Sequence, residues 1–509
     1  MSGAVLSRRT SGVLCHVTSL PSRFGCGDLG PAAHRFADLL ADGAQSLWQV
    51  LPLAPTGPGN SPYASPSVFA GNTLLVSPES LAADGYLDPG ELASPPAFPG
   101  GRVDYGTVAA WKNPLLARAA RRLLENPPPG FETFLAREAG WLEDHCLFVA
   151  CRERYGGVPW PDWPAGLAVR EPGALEAASE SLRERCEVEQ ALQFLFDGQW
   201  RRLREHCAAR GIGLVGDLPI YVTWDSADVW ARPGHFRLDA ALRPEAVAGV
   251  PPDYFSADGQ RWGNPLYRWE VHRDGGYAWW TARLARAAAL FDVVRLDHFV
   301  GFAEYWEVPA GEPTARNGAW RPGPGRDLFR PVLDALPSLA LVAEDLGHVT
   351  PGVTALREAL GVPGMRVLLL GLGTGMAASP HAPHHHERET VLYSGTHDSP
   401  TAAGWWEEAS PEDRAALDRY LGRTVGRAEV ADALIRLCMQ SVAATLIVPL
   451  QDLLGLGSGA RMNTPGTAFG NWEWRCPEGA LTPALAARLA DLAATYDRAP
   501  RPPSEPPRT

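Results

Sequence analysis

Three carboxylates that follow short apolar runs are the residues of this chain best suited to chemistry. The runs end at Asp297, Glu344 and Asp398. Each run is short and apolar before its carboxylate, which is typical of a buried parallel strand whose carboxyl end opens to solvent. Two carboxyl groups facing one point, with a third nearby, can cleave a glycosidic bond. The alternative is that these acids merely end strands or begin helices, and three such runs in succession disfavour it.

The two carboxylates needed for cleavage with retention can be assigned from their neighbours. Such cleavage needs carboxyl groups about 5–5.5 Å apart, one attacking the anomeric carbon and one protonating the leaving oxygen. Arg295 lies two residues before Asp297, so it should point to the same face and keep that carboxylate ionised. We therefore predict Asp297 as the nucleophile. Glu344 is the predicted general acid and then base, its pKa raised by ionised Asp345 beside it.

The remaining polar residues near these runs are candidates for binding sugar. Asp398 would accept hydrogen bonds from ring hydroxyls that tighten as oxocarbenium character develops. His298 and His397 each adjoin a carboxylate and could bind hydroxyls, although a core histidine remains the alternative for both.

An aromatic segment over 251–267 is predicted to be a loop because it is rich in Pro, Gly, Asp and Asn. It nevertheless carries Tyr254, Phe255, Trp262 and Tyr267. Aromatic planes pack on the C–H faces of pyranose rings, so the loop is predicted to cover the substrate. A cover that excludes water would favour transfer over hydrolysis. Ordinary packing between domains is the alternative.

Eight apolar runs separated by amphipathic helical stretches predict a (β/α)₈ barrel. A doubly wound sheet is the competing fold, but the chain lacks its glycine-rich phosphate loop. The predicted strands are Gly12–Val17, Ser46–Leu51, Gly213–Leu218, Val293–Asp297, Leu341–Asp345, Met365–Leu370, Val391–Ser394 and Ala443–Val448.

The uneven spacing of these strands predicts insertions, because long barrel loops need structure of their own. Residues 1–76 would hold the first two strands, and 77–205 a mainly helical inserted subdomain. Residues 206–498 would complete the barrel, with an insertion at 220–275 that carries the aromatic loop 249–267. The Pro-rich tail 499–509 is predicted to be disordered.

Composition excludes several classes of protein. Lys and Arg number 46 against 58 Asp and Glu, a net charge of −12, which argues against nucleic acid and suits an uncharged substrate. No apolar run approaches the ~18 residues of a membrane helix. The 8 cysteines show no CxxC spacing, which indicates free thiols and a cytoplasmic location. The only lysine, Lys112, lies in a turn-like Trp-Lys-Asn-Pro stretch, an unlikely position for a Schiff base.

A cluster of four histidines is a candidate metal site, since histidine is a common metal ligand. Because it alternates with proline, we predict a solvated loop and neither a metal nor a cofactor. The residues are His381, His384, His385 and His386.

Several of these segments together resemble the 4-α-glucanotransferases (amylomaltase or disproportionating enzyme). The matching blocks are Arg295–Phe299, Ala343–Gly347, Gly395–Asp398, Gly59–Tyr63, Gly216–Tyr221, Gly455–Gly466 and the aromatic segment Gly249–Tyr267. The resemblance implies the three catalytic acids assigned above. It implies substrate-binding roles for Ser61, Tyr63, Asp217, Arg295, His298, His397, Asp253, Tyr254, Phe255, Gln260, Trp262, Asn463 and Pro465.

The resemblance also implies a reaction. The enzyme would cut α-1,4-glucans or maltooligosaccharides through a covalent glycosyl-enzyme and pass the glucan segment to the 4-OH of another glucan or glucose. The alternatives are a predominantly hydrolytic enzyme with the same carboxylates and an inactive glucan-binding protein. The sequence leaves open whether the protein is a monomer or a dimer.

Overall fold

The computed structural model describes residues 6, 8–252 and 256–500. Its strands in these ranges are β1 (Thr10–Leu14), β2 (Leu47–Gln49), β3 (Gly213–Leu218), β4 (Ala246–Val250), β5 (Gln260–Pro265), β6 (Val293–Leu296), β7 (Glu304–Pro309), β8 (Ala319–Pro322), β9 (Leu341–Ala343), β10 (Gly364–Val367), β11 (Thr390–Tyr393) and β12 (Thr445–Pro449).

Eight parallel strands form a nearly closed barrel in the order β10-β11-β12-β1-β2-β3-β6-β9. At the remaining seam, the Ala343 N–H donates to the carbonyl of Pro363, just before β10, at 2.9 Å. Nearly all residues of these strands are buried, as expected where helices cover the outside and side chains fill the inside. Each predicted run overlaps one of these eight strands, so the predicted (β/α)₈ barrel is confirmed.

The α-helices of the described residues connect and surround these strands. They are Pro31–Asp42, Pro78–Ala83, Tyr105–Glu125, Phe131–Arg154, Ala165–Ala168, Pro172–Ser181, Arg183–Ala209, Ala227–Ala231, Trp269–Asp274, Ala278–Leu290, Val300–Ala303, Arg326–Ala335, Pro351–Leu360, Ala402–Glu408, Pro411–Leu421, Val430–Gln440, Leu450–Leu453 and Pro483–Thr495.

Lys112 lies inside the helix Tyr105–Glu125, so the turn predicted there is wrong. The Asp104 side chain accepts from the Thr107 N–H at 3.1 Å and caps this helix. An apolar face spaced at three and four residues then carries the helix through Pro114. The Lys112 ammonium is fully buried and donates to the Leu74 carbonyl at 2.6 Å.

A second sheet of four antiparallel strands, in the order β5-β4-β7-β8, was not predicted. It makes part of the predicted loop wrong, because Gln260–Pro265 forms β5 and pairs with β4. Gly259 allows the tight turn before β5: its φ is +66°, and a Cβ there would lie 2.4 Å from the Val250 carbonyl oxygen. Predicted site residues Asp253, Tyr254 and Phe255 lie outside the described residues.

The predicted division into domains stays a prediction. Six of the helices lie between β2 and β3, and residue 205 falls within the helix Arg183–Ala209. The predicted tail lies outside the described residues from 501 onward. Within the described part of the chain, no helix is both long and apolar enough to cross a bilayer.

Candidate active site

Strand register places Asp297 and Glu344 side by side at the carboxyl end of the barrel. β6 and β9 are parallel neighbours in which Leu296 pairs with Ala343, and each carboxylate is the next residue of its chain. Neighbouring strands lie about 4.8 Å apart, and residues in register point to the same side. The register therefore brings the two carboxylates to neighbouring positions at one end of the barrel.

Arg295 ties the Asp297 carboxylate to a second acid. Its Nη1 lies 2.9 Å from Asp297 Oδ1 and donates to both oxygens of Asp217 at 2.6 and 2.7 Å. The hydroxyl of Tyr63 donates to Asp217 Oδ2 at 2.7 Å. As predicted, Arg295 and Asp297 share one face. The Arg295 side chain is 5% exposed, so its contacts act with little screening from water.

The two central carboxyl groups hold their protons with different strength. Desolvation raises the pKa of Asp297 to about 6, against the opposing effect of the Arg295 cation. Desolvation raises the pKa of Glu344 to about 8; Arg295 again opposes this, and the Asp297 carboxylate adds to it. Glu344 therefore binds a proton more strongly than Asp297 does.

The carboxylate facing Glu344 is Asp297 and not Asp345, so the predicted cause of its raised pKa is wrong. Successive residues at a strand end point to opposite sides, and Asp345 turns away. Its Oδ1 accepts from the Met365 N–H at 2.7 Å, and its Oδ2 lies 3.4 Å from Arg357 Nε. Glu344 Oε2 instead accepts from the backbone N–H of His298.

His298 has a backbone conformation that few residues with a side chain adopt. Its φ is +49°, in the left-handed region, which costs roughly 1–3 kcal/mol. The same residue supplies the N–H to Glu344 and presents its ring to Trp262, with centroids 4.8 Å apart. Its Nε2 is buried without a hydrogen-bond partner among the described residues, and burial lowers the pKa of the ring to about 4. A neutral imidazole with a free nitrogen is suited to a sugar hydroxyl.

The Asp398 carboxylate is held by two side chains, those of Asn463 and His397. Asn463 Nδ2 donates to its Oδ1 at 2.6 Å, and His397 Nε2 lies 3.3 Å from its Oδ2. Desolvation alone would raise the pKa of Asp398, but His397 and Asn463 lower it to about 2. Burial likewise disfavours the His397 imidazolium, yet Asp398 raises the pKa of His397 overall. The third carboxylate is therefore ionised at neutral pH.

Comparison with known proteins identifies the family to which this chain belongs. The family model described as 4-alpha-glucanotransferase (glycoside hydrolase family 77) matches residues 15–482. The chain belongs to the 4-α-glucanotransferase family. It is 47% identical over 500 residues to the 4-alpha-glucanotransferase of Thermus thermophilus, covering 96% of this chain and 99% of that protein. The chloroplastic/amyloplastic 4-alpha-glucanotransferase of Solanum tuberosum is 44% identical, covering 96% of this chain and 87% of that protein.

A solved structure agrees with this assignment. The chain is similar to the amylomaltase from Streptococcus agalactiae in complex with acarbose, with a TM-score of 0.93 and 35% identity. The match covers 97% of this chain and 100% of that one.

The remaining predicted site residues of this 4-α-glucanotransferase family member differ in exposure and in their contacts. The Ser61 hydroxyl accepts from the Tyr63 N–H at 3.2 Å and shapes the turn before that tyrosine. Gln260 and Trp262 lie on β5, where Trp262 Nε1 donates to Gln260 Oε1 at 3.2 Å. Pro465 is exposed on the segment that follows Asn463. Of these residues, Trp262 contacts His298 directly.

Sequence reasoning missed two aromatic residues that contact the predicted site residues. Trp472 lies against both Tyr63 and His397, with ring centroids 5.5 and 5.8 Å apart. Tyr221 lies beside His298 and Trp262, with centroids 6.5 and 6.2 Å apart. A signal for both was present, since each lies within or just beyond a matched block, but their ring partners come from distant segments.

The histidines of the cluster differ in burial and in their contacts. His386 is buried and its Nδ1 lies 2.8 Å from Ser441 Oγ, whereas exposed His384 contacts the Tyr420 hydroxyl at 2.9 Å. The predicted solvated loop is therefore wrong for His386. In residues 6, 8–252 and 256–500, no group of three or more His, Cys, Asp or Glu side chains could hold a metal ion.

Proposed function

We propose that this chain is a retaining 4-α-glucanotransferase that works through a covalent glycosyl-enzyme. It cleaves an α-1,4-glucosidic bond and passes the glucan segment to the 4-OH of another glucan or of glucose. One observation carries the proposal: Asp297 and Glu344 follow paired residues of neighbouring strands and differ in pKa, about 6 against about 8. An ionised and a protonated carboxyl group side by side are the two reactants that this cleavage needs.

Asp297 is the proposed nucleophile. The Arg295 contact at 2.9 Å orients its carboxylate and favours its ionised form. Glu344 protonates the leaving glycosidic oxygen as Asp297 attacks the anomeric carbon. The acceptor hydroxyl then gives its proton to Glu344 and attacks the glycosyl-enzyme, which releases Asp297. Glu344 ends this cycle protonated, as it began.

Asp398 and the two histidines are proposed to bind the sugar at the cleavage point. Asp398 is ionised and fixed by Asn463 and His397, so it can accept hydrogen bonds from ring hydroxyls as positive charge develops on the sugar. Within the part of the chain that the structure describes, His298 Nε2 has no partner and can bind a further hydroxyl. Ser61, Tyr63, Asp217, Gln260 and Pro465 are proposed to bind substrate around this point.

Transfer in preference to hydrolysis is proposed to depend on the aromatic side of the site. The glycosyl-enzyme partitions between water and a sugar hydroxyl, so a surface that binds an acceptor and displaces water selects transfer. Trp262 is 38% exposed while it contacts His298, so part of its ring is available to a sugar. Tyr254 and Phe255 are proposed to extend this cover.

Incubation with maltotriose tests the proposal. Transfer yields glucose together with maltopentaose and longer oligomers, which chromatography separates by length. Hydrolysis yields glucose and maltose without elongation, and a binding protein changes nothing; either result contradicts the proposal. The anomeric configuration of the new bonds, followed by NMR, should be α throughout.

We also propose a reducing compartment, such as the cytoplasm. All 8 cysteines are free thiols, and seven of them are buried. Burial raises the pKa of thiols such as Cys15 and Cys438, which keeps them unreactive packing groups. Labelling of thiols under denaturing conditions without reductant should recover all of them.

A further inference from the structure

Phe469 has a far more exposed ring than any other large apolar side chain among the described residues. Its relative exposure is 89%, whereas the remaining exposed large apolar residues lie between 37% and 58%. A single exposed apolar side chain is ordinary on a protein surface. Phe469 differs because of where it lies: on a loop whose two ends both contact the active site.

The loop is closed at its base. The Trp472 N–H donates to the Met462 carbonyl at 2.7 Å, which brings the ends of the segment together. At one end Asn463 donates to Asp398, and at the other Trp472 packs on Tyr63 and His397. The loop is therefore anchored on the side chains proposed to hold the sugar.

The loop is also braced from within. The side chain of Asn471 accepts from the Thr464 N–H at 2.8 Å and donates to the Thr467 carbonyl at 3.0 Å. The Thr467 hydroxyl donates to the Thr464 carbonyl at 2.7 Å. A loop with this much internal bonding presents its tip in a defined position, which reduces the entropy that a ligand must offset on binding.

The tip of this loop lies at the rim of the site. A Cβ placed on Gly59 would come within 3.0 Å of the Ala468 carbonyl oxygen, so the tip rests on the turn that precedes Tyr63. Phe469 is three residues from Trp472, a span of at most about 11 Å. Its ring is therefore within a few sugar units of the residues that contact His397.

We propose that Phe469 forms an outer glucan-binding subsite, where its ring packs on a glucose unit of the chain that extends out of the active site. The ligand class is a neutral α-glucan longer than the sugars at the cleaved bond, and this choice rests on the proposed function. The C–H face of a pyranose packs on an aromatic plane, and burial of that plane supplies binding energy. The subsite selects for glucan length and takes no part in bond cleavage.

Kinetics with two chain lengths test the subsite. Replacing Phe469 with Ala should raise KM for maltoheptaose about five- to tenfold, the size expected for losing one buried aromatic face. KM for maltotriose should rise less than twofold because fewer sugar units reach the rim. Phe469→Tyr keeps the ring and should retain the parent KM. Phe469→Leu keeps an apolar side chain without the plane and should behave like Phe469→Ala.

A matched control is Val442→Ala, which should match the parent on both sugars. Val442 is 58% exposed but precedes β12, at the opposite end of the barrel. Equal KM values for Phe469→Ala and the parent, or an equal rise for both sugars, would overturn the subsite. An unchanged KM together with a changed sedimentation coefficient in Phe469→Ala would also overturn the subsite, since the ring would then contact a second copy of the chain.

Direct binding separates this inference from the proposed function. Calorimetric titration with maltoheptaose should show weaker binding to Phe469→Ala whether or not the sugar is turned over. If the parent gave no transfer products yet bound maltoheptaose through Phe469, the proposed function would fail and the subsite would stand. If the parent transferred glucan and both proteins bound maltoheptaose equally, the subsite alone would fail.

Discussion

Two regions of the site are held in place by different forces. The carboxylate centre consists of Arg295, Asp217 and Asp297, and the aromatic cover is the side of the site that carries Trp262. In the centre, Arg295, Asp217 and Asp297 are joined by contacts of 2.6–2.9 Å at the ends of β3 and β6. In the cover, Trp262 is fixed by ring contacts to His298 and Tyr221 at centroid distances of 4.8 and 6.2 Å. Charged contacts on rigid strands are strong and directional, whereas edge-to-face ring contacts are weak.

The two regions also differ in what supports them. The strands of the centre belong to the main core of the barrel. The sheet that carries Trp262 has a small separate core of Val247, Val308 and Ala315, with Trp306 packed against it. The comparison indicates a division of roles: substitutions in the centre should remove bond cleavage, and those in the cover should change the fate of the intermediate.

The largest effect is expected for Asp297→Asn. An amide cannot form the glycosyl-enzyme, so kcat with maltotriose should fall by about 10³- to 10⁴-fold. Folding should survive, because Arg295 keeps its bonds to Asp217. Thermal unfolding and calorimetric binding of maltooligosaccharide check this. Asp491→Asn, at an exposed position, is the control. A fall in kcat of less than tenfold in Asp297→Asn would contradict the assignment of Asp297 as the nucleophile.

A smaller but broader loss is expected for Arg295→Met. It leaves the buried carboxylate of Asp217 and the partly exposed carboxylate of Asp297 without a cation. This should lower the free energy of unfolding by about 3–5 kcal/mol and kcat/KM by roughly 10²-fold. The pKa of Asp297 should rise, moving the acid limb of the rate profile to higher pH. Arg295→Lys keeps the charge and should shift that limb less. An acid limb that stays in place in Arg295→Met would contradict the electrostatic role.

The pH profile of the parent should be bell-shaped. Asp297 must be ionised, so kcat/KM should rise as the pH increases through about 6. Glu344 must be protonated, so kcat/KM should fall as the pH increases through about 8. About tenfold is lost for each pH unit beyond either limb, and the limbs belong to the coupled pair. Glu344→Gln should lose the alkaline limb, and a donor with a good leaving group should restore its first step. A parent rate that still rises above pH 9 would exclude Glu344 as the acid.

The barrel and its acids were predictable because their signals are local. A strand buried on both faces must be an apolar run, and its carboxyl end is where polar residues reappear. Asp297 and Glu344 follow such runs directly. The orientation of Asp345 was equally accessible, since the alternation of side chains along a strand turns it away from Glu344.

Other features depend on partners that the sequence does not name. β7 and β8 are short strands with polar and aromatic residues, and they are stable only within the second sheet, where β7 pairs with β4 and β8 pairs with β7. Lys112 is in a helix because Tyr105–Glu125 buries an apolar face that outweighs the Asn-Pro turn signal. The packing of Trp472 on Tyr63 and His397 joins three segments that only the folded barrel brings together.

The smallest effect is expected in the cover, for Trp262→Ala. Removal of the ring opens the site to water beside His298, so the ratio of transfer to hydrolysis should fall about three- to tenfold with kcat changed less. Stability should fall by about 1–2 kcal/mol, because most of the ring is buried against His298 and Tyr221 although the residue is 38% exposed. Trp320→Ala is the matched control: it lies on β8 of the same sheet, and its ring packs on Trp306 and His348. If both variants lowered the ratio equally, the effect would come from the sheet as a whole; if neither did, water exclusion would depend on residues other than Trp262. A fall confined to Trp262→Ala would show that one weakly held ring decides the product while the charged centre decides the rate.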